Sequence, residues 1–130
     1  MCLRTKWDSP KKASKDIPCW IVVDVANNCY FSYYLGAIIE DKMTSYLDRI
    51  HLPRVMEGLH SFAMLKDAIL FKKHSTVTLE SVKILKCIIP KGSLYYKGTF
   101  TSLEFYSAVS YASTKRNLFK PIKRKETLCA

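Results

Sequence analysis

The chain has 130 residues, a formal net charge of +10 and a hydrophobic content of 48%. This length fits one domain with a single core, and this apolar content excludes a globally disordered chain. No apolar run approaches the roughly 20 residues that a membrane-spanning helix needs, and the first sixteen residues are too basic for a secretory signal. We therefore expect a soluble, cytoplasmic protein that does not enter a membrane.

The positive charge is concentrated at the two ends of the chain. Residues 1–16 carry a net charge of +3 and residues 113–130 carry +5, which leaves +2 for the 96 residues between them. Such an asymmetry points to an acidic partner, or else serves only solubility.

The first third of the chain predicts a basic arm followed by strands. Residues 1–16 are polar and contain Pro10, which is typical of an extended segment. Residues 17–25 (IPCWIVVDV) are β-branched and aromatic, and therefore predict the first strand. A turn is expected at residues 27–28 and a second strand at 29–35.

Two segments show the periodicity of a helix. In residues 37–50 the apolar side chains recur at helical spacing: Ile39, Met43, Tyr46, Leu47 and Ile50. Residues 63–73 predict another helix, with Ser61 as its N-cap and with Lys72 and Lys73 near its negative pole.

The pattern at residues 82–89 predicts an inner strand. Val82, Ile84 and Ile88 would point to one face, and the opposite face would receive Leu85, Cys87 and Ile89. A strand that is apolar on both faces is covered on both faces.

After Pro90–Gly92 the strand pattern resumes up to Gly98, and a last strand is expected around Leu118, Phe119 and Ile122. We therefore predict one α+β domain at residues 17–125, with a single twisted, mostly antiparallel sheet and one or two helices. Residues 126–130 are expected to be frayed.

The cysteines and histidines give no metal-binding pattern. The five cysteines are widely spaced without a CxxC, and the three histidines form no HxH or HxxxH pair. We therefore predict no metal site and no cofactor. Cys19 and Cys87 lie in apolar runs and are expected in the core, whereas Cys2 and Cys129 lie near the chain ends and are expected to be exposed, reduced thiols.

The most prominent functional signal is a basic and aromatic set near the C-terminus. Its members are Lys115, Arg116, Phe119, Lys120, Lys123, Arg124 and Lys125. Positive charge within reach of phosphates binds nucleic acid without any further motif. Tyr95 and Tyr96 would point to opposite faces of a strand, and we place Tyr96 with Lys91 and Lys97 in the binding set as a residue that stacks on a base or packs in the core.

Two further features have both a binding and a structural interpretation. His60 and Ser61 either form a small-molecule pocket or cap a turn and a helix. Trp7 either stacks on a base or folds back onto the domain. No nucleophile–base pair, Gly-rich phosphate loop or pair of carboxylates is visible, which favours a non-enzymatic protein.

Three motifs carry a resemblance to a family of small phage and bacterial proteins, and the chain also begins Met-Cys-Leu as members of that family do. The motifs are GLHSF at residues 58–62, CIIPKGSLYYKG at 87–98 and SYAS at 110–113. Proteins of this size, charge and resemblance include anti-CRISPR inhibitors. The resemblance implies a binding protein that acts in the host-cell cytoplasm on RNA or on an RNA-guided nuclease; the sequence does not define its oligomeric state, and we expect a monomer.

The order of elements is also similar, more distantly, to the ADP-ribosyltransferase fold. His60–Ser61 falls at that fold's Ser-Thr-Ser turn, and residues 87–92 fall at its Pro-x-Gly strand. The chain departs from the pattern, since Trp20 stands where an Arg or His is expected and Ala112–Ser113 where a catalytic Glu is expected. The resemblance thus implies a degenerate fold, with an NAD-using transferase as the alternative function.

Overall fold

The computed structural model describes residues 3–26, 29–32, 38–47, 52–74, 82–101 and 107–120. The described residues form eleven strands and one helix: β1 (Leu3–Arg4), β2 (Lys11–Lys12), β3 (Ile17–Ala26), β4 (Cys29–Ser32), β5 (Lys42–Thr44), β6 (Arg54–Val55), β7 (Leu59–Phe62), α1 (Leu65–His74), β8 (Val82–Ile89), β9 (Leu94–Thr101), β10 (Ser107–Ser113) and β11 (Lys115–Leu118).

All these strands belong to one open sheet. The order is β5-β11-β8-β3-β7-β10-β9-β1-β6, with β2 added to β9 and β4 added to β3. The ladders between the described strands are antiparallel. The predicted α+β class and mostly antiparallel sheet are therefore confirmed. No helix of the described residues is long and apolar enough to cross a membrane.

The inner position of β8 is confirmed. It lies between β11 and β3, and it pairs with β3 from Val82–Asp24 to Ile89–Ile17. On one face, Val82 and Ile84 join the core cluster beneath α1. On the other face, Cys87 and Ile89 join a second cluster with Cys19. Apolar side chains of β8 thus pack on both faces of the sheet, although Lys83 and Lys86 of the same strand are exposed.

The predicted first strand is confirmed as β3, and the second strand is confirmed over the four residues of β4. The expected turn at residues 27–28 and residues 33–35 of the second strand lie outside the described residues. The last strand ends at Leu118, so Phe119 follows it, and Ile122 and the tail at 126–130 also lie outside the described part of the chain.

Helix α1 packs on one face of the sheet through Ala68 and Phe71. The Phe71 ring centroid lies 5.5 Å from that of Phe62 and 6.1 Å from that of Phe100. The predicted N-cap is wrong, because Ser61 is a buried residue of β7 paired with Tyr111. Three residues separate Ser61 from the start of the helix at Leu65, so its hydroxyl is too far from the first turn to cap it.

The predicted helix at residues 37–50 is also wrong. Ile38 bridges Phe31, and Lys42–Thr44 forms the edge strand β5 against β11. Tyr46, expected on the buried side of a helix, is 84% exposed. Pairing with β11 satisfies the backbone of β5 and overrides the helical periodicity of the segment; residues 48–50 lie outside the described part.

The N-terminal segment adds two strands to β9. Arg4 pairs with Thr99, and Lys11 and Lys12 pair with Tyr95 and Leu94. Leu3 is fully buried, in a cluster with Val55 and Tyr96. The predicted extended basic arm is thus extended but attached to the sheet along its length.

The sheet is curled rather than flat. β11 and β7 are separated in the order by β8 and β3, which would place them about 14 Å apart in a flat sheet. Nevertheless the Arg116 guanidinium Nη1 on β11 donates to the backbone oxygen of His60 on β7 at 2.8 Å. The curl encloses the cluster that contains Cys19 and Cys87.

Gly98 allows β1 to approach β9. A β-carbon at position 98 would collide with the Arg4 carbonyl group and would reach the Leu3 side chain. We expect Gly98→Ala to displace β1 and to lower the free energy of unfolding by about 1–3 kcal/mol, as overpacking does. The measurement is the urea-unfolding midpoint followed by circular dichroism.

Thr99→Ala is the matched control, because Thr99 is the exposed neighbour of Gly98 on the same strand. It should cost no more than about 1 kcal/mol. Equal stability of the two variants would contradict the close approach of β1 to β9.

Candidate nucleic-acid interface

The alternation of β9 separates a surface from the core. Tyr96 and Phe100 are buried, whereas Tyr95 is half-buried and Lys97 and Thr99 are exposed. Because successive side chains of a strand point to opposite faces, Tyr95, Lys97 and Thr99 share one side. The pairing with β10 places Tyr111 opposite Lys97 on that same side.

Three aromatic rings contact one another on this side. The centroids of Trp7 and Tyr95 lie 5.4 Å apart with an interplanar angle of 69°. Those of Tyr95 and Tyr111 lie 5.8 Å apart at 77°. All three side chains are partly exposed. Burial, followed by the neighbouring Tyr95, raises the pKa of Tyr111, so its hydroxyl stays protonated at neutral pH.

Basic side chains surround these rings. Arg4 pairs with Thr99 and Lys11 with Tyr95, so both project from the same side as Lys97, and all three are exposed. The Lys11 ammonium lies 4.2 Å from the Trp7 ring centroid, a cation–π contact. We call the following six residues the β9 face: Arg4, Trp7, Lys11, Tyr95, Lys97 and Tyr111.

The strands that build and flank the β9 face contain no acidic residue. This holds for β1, β2, β9 and β10 and for the neighbouring β6 and β7, whereas the exposed Asp8 follows Trp7 directly in the chain. Lys12 pairs with Leu94 and therefore points to the opposite side from Lys11, and at the nearby turn the Lys91 backbone N–H donates to the Asp16 carboxylate at 2.8 Å. The β9 face is therefore positive and offers hydrogen-bond donors rather than carboxylate acceptors.

Thr5 fixes the segment that carries Trp7. Its buried hydroxyl donates to the Lys97 backbone oxygen at 2.8 Å and accepts from the Trp7 backbone N–H at 3.1 Å. Its own N–H donates to the Pro53 oxygen at 2.9 Å. Trp7 folds back onto the domain, and the position at which it does so is next to Tyr95.

The structure divides the predicted binding set into three groups. Exposed members are Lys91, Lys97, Lys115, Phe119 and Lys120. Lys123, Arg124 and Lys125 lie outside the described residues. Tyr96 and Arg116 are 0% and 6% exposed, so neither contributes to a surface. The predicted place of Tyr96 in the binding set is corrected by the alternation of side chains along β9, because Tyr95 and not Tyr96 is on the solvent side.

Phe119 and Lys97 belong to different parts of the surface. Phe119 follows β11, its backbone N–H donates to the Lys86 oxygen at 2.9 Å, and the Lys86 ammonium lies 4.4 Å from its ring centroid. Lys86 pairs with Trp20, on the side of β8 opposite to Cys87. The exposed members therefore do not form one continuous patch around Phe119.

Arg116 has a structural position between the two halves of the curled sheet. Besides its bond to the His60 oxygen, its Nη2 lies 3.5 Å from the Met43 sulfur. Burial lowers the pKa of Arg116, and the nearby Cys87 and Cys19 thiols partly offset that effect. The two contacts of the Arg116 guanidinium, with the His60 oxygen and the Met43 sulfur, are both made to neutral atoms.

Cys19 and Cys87 are buried free cysteines directly opposite each other on β3 and β8. The predicted core position of both is confirmed. The hydrogen bond from the Cys87 thiol lowers the pKa of Cys19, and the same bond, followed by burial, raises that of Cys87. Among the described residues, no group of three or more metal-ligating side chains occurs.

The two residues predicted as a possible pocket lie on β7. Ser61 is 1% exposed and faces the cluster of Cys19, whereas the His60 ring nitrogen Nε2 lies 3.2 Å from the Met56 oxygen. The His60 Nδ1 atom is buried without a hydrogen-bond partner among the described residues. Burial lowers the pKa of His60 to about 4, and the charge of Arg116 adds to this effect.

Five residues of the β9 face were not in the predicted binding set: Arg4, Trp7, Lys11, Tyr95 and Tyr111. The alternation of side chains along β9, counted from Gly98, places Tyr95 on the β9 face. This alternation could be assigned to a face only once the pairing of β1 with β9 was known. Trp7 was noted as an aromatic residue in a basic segment, but its neighbours come from remote parts of the chain.

Comparison with known proteins leaves the site to be interpreted from its own geometry. Neither the family models, nor the curated proteins, nor the solved structures give a match to this chain.

The half-buried His60 predicts a pH-dependent stability. Its folded-state pKa of about 4 lies below the ordinary value of 6.5, so between these values the unfolded chain binds a proton that the native chain does not. Stability should therefore fall as the pH decreases from about 6.5 to 4, by at most about 1.4 kcal/mol per pH unit.

This dependence can be isolated by urea unfolding of the wild type and His60→Gln at pH 4.5, 5.5, 6.5 and 7.5. The other titrating groups are shared, so the difference in unfolding free energy between the two proteins reports His60. A difference that stays constant from pH 4.5 to 7.5 would contradict a half-buried, neutral His60.

Proposed function

We propose that the protein is a non-enzymatic RNA-binding protein and that the β9 face contacts the RNA. The observation that carries this proposal is the side-by-side placement of Arg4, Lys11 and Lys97 around exposed aromatic rings, on strands without acidic residues. Phosphate oxygens need donors and positive charge within reach, and the β9 face offers both.

The resemblance to small phage proteins gives this activity a biological context. An inhibitor of an RNA-guided nuclease could use a basic face either to occupy the nuclease's RNA or to enter its RNA-binding groove. We propose the first of these, because exposed aromatic side chains next to lysines suit bases and phosphates together. If the protein binds no RNA in the experiments below, direct binding to the nuclease is the alternative.

We do not extend the proposal to an ADP-ribosyltransferase-like fold or to NAD chemistry. Ser61, placed by the resemblance near the nicotinamide-binding turn, is buried inside the curled sheet. The side chain of His60 contacts the Met56 oxygen of its own neighbourhood. In this described part of the chain, neither the Ser61 nor the His60 side chain is therefore available to bind NAD, as the transferase alternative requires.

Removing two positive charges from the β9 face should weaken RNA binding and reduce its salt dependence. For Lys11→Gln/Lys97→Gln we expect an affinity at least tenfold lower in 50 mM salt. The slope of log K against log salt should decrease by about 1.4, since each neutralised phosphate of a single strand contributes about 0.7. The measurement is fluorescence anisotropy of a labelled RNA at four salt concentrations.

Lys66→Gln/Lys73→Gln is the matched control, because it changes the net charge equally on exposed positions of α1. It should retain the wild-type slope. Equal effects of the two double variants would show a non-specific response to net charge and would overturn the assignment to the β9 face.

The C-terminal basic residues are tested separately by neutralising Lys123, Arg124 and Lys125 together. If that variant loses RNA binding while Lys11→Gln/Lys97→Gln retains it, the binding surface lies in the C-terminal segment and the proposal for the β9 face fails.

A further inference from the structure

The rings of the β9 face are arranged in a way that phosphate binding alone does not require. Trp7, Tyr95 and Tyr111 form two successive edge contacts at 5.4 Å and 5.8 Å. In an edge contact, the edge of one ring meets the face of another, so each contact covers only one ring face. Trp7 also packs against the cluster of Leu3 and Val55, and Tyr111 packs against the cluster of Cys19, so each of the three rings is only partly exposed and the remaining faces are open to a ligand.

The surroundings of the rings favour one class of ligand. Partly exposed ring faces can stack on bases, on sugars or on apolar planar groups. Sugar recognition also needs acceptors for hydroxyl groups, but the β9 face is rich in ammonium and guanidinium donors, and its strands carry no carboxylate, the nearest acid along the chain being the exposed Asp8. Donors combined with partly exposed rings match a chain of bases joined by phosphates.

We infer that Trp7, Tyr95 and Tyr111 form a stacking site for unpaired bases, so that the RNA bound by the β9 face is single-stranded. This inference rests on the proposed function and specifies its ligand. Duplex RNA hides its base faces in the stack and presents only phosphates and hydroxyls, whereas a single strand presents both phosphates and bases. Three neighbouring rings can stack on about two or three nucleotides.

The contacts of Trp7 assign roles to its neighbours. The Lys11 ammonium lies over the Trp7 ring at 4.2 Å, so a base that stacks there takes the place of a cation. The released ammonium is then next to the phosphate of the same nucleotide. Lys97 pairs with Tyr111 in the β9–β10 ladder and therefore lies beside the Tyr111 ring.

The test uses the fluorescence of Trp7. The chain has two tryptophans, and Trp20 packs against the core beneath α1. Trp20→Phe therefore leaves Trp7 as the single emitter in a full-length protein. This protein is titrated with a 12-nucleotide oligouridine and with a 12-base-pair RNA duplex, and its thermal midpoint is measured to verify folding.

We expect the single strand to quench Trp7 emission in a saturable way and to bind at least tenfold more tightly than the duplex. Tyr95→Leu should abolish most of this preference, with the affinity for the single strand reduced tenfold or more, whereas its salt slope stays the same. Tyr95→Phe retains the ring and should bind like the parent. Phe119→Leu, an exposed aromatic residue outside the β9 face, should also bind like the parent.

The outcomes separate the inference from the proposed function. If the duplex and the single strand bind equally and Tyr95→Leu changes neither, stacking is overturned, while salt-dependent binding through the lysines still stands. If neither RNA binds in 50 mM salt, the proposed function fails and the stacking site fails with it. If Tyr95→Leu proves to be unfolded, Trp7→Leu in a fluorescein-labelled RNA assay replaces it, with the same tenfold loss expected.

Discussion

The close approach of β1 to β9 at Gly98 is the contact on which the candidate surface depends. It buries Leu3 and aligns Arg4 with Thr99, and the Thr5 hydroxyl then ties the following residues to the Lys97 backbone. As a result, a basic segment that would otherwise be a charged tail becomes part of a sheet. A surface that is ordered before binding loses less conformational entropy when a ligand arrives.

The same alternation of β9 builds the core and the surface. Tyr96 packs with Leu3 and Val55, while Tyr95, one residue away, contacts Trp7. A shift of the register by one residue would exchange these two tyrosines and would place Lys97 in the core. The register is fixed by the seven pairs between β9 and β10, so the stability of the core and the composition of the β9 face are not independent.

Formal charge is an incomplete guide to the electrostatics of this surface. Arg116 contributes to the net charge of +10 and to the basic C-terminal cluster, yet it lies inside the curled sheet and bonds to the His60 oxygen. Its role there is to join β11 to β7, across two intervening strands. The charge that a partner meets is set by which lysines the strands leave exposed, and this is a property of the fold.

The parts of the fold that the sequence predicted are those in which local pattern and tertiary environment agree. Val82–Ile89 is apolar on alternate faces and is covered on both, and Ile17–Ala26 has the β-branched composition of its inner position. The helix was predicted to follow a Ser61 cap, but it begins only at Leu65, because Ser61 is buried in strand β7. The segment around Met43 has helical spacing, and only its pairing with Arg116 on the remote β11 makes it a strand.

The site could be predicted less well than the fold, for a related physical reason. Positive charge can be read from the sequence, and Lys97 and Lys91 are indeed exposed. The rings could not be assigned, since Trp7, Tyr95 and Tyr111 are separated by long stretches of chain and meet only through the ladders of β1, β2 and β10 with β9. Local composition does not contain that information.

The position of Lys11 suggests how one residue can serve both the free and the bound protein. In the free protein its ammonium lies over the Trp7 ring and holds the indole against Tyr95. A cation–π contact at a partly exposed site contributes about 0.5–1 kcal/mol. Under the proposed mode of binding, a base replaces the ammonium, and stacking on an aromatic side chain is worth about 1–3 kcal/mol per base. The exchange is favourable because the displaced ammonium is not lost to solvent but gains a phosphate. A bare ring without its lysine would bind bases with no such compensation, and a lysine without its ring would bind phosphates with no preference for a single strand.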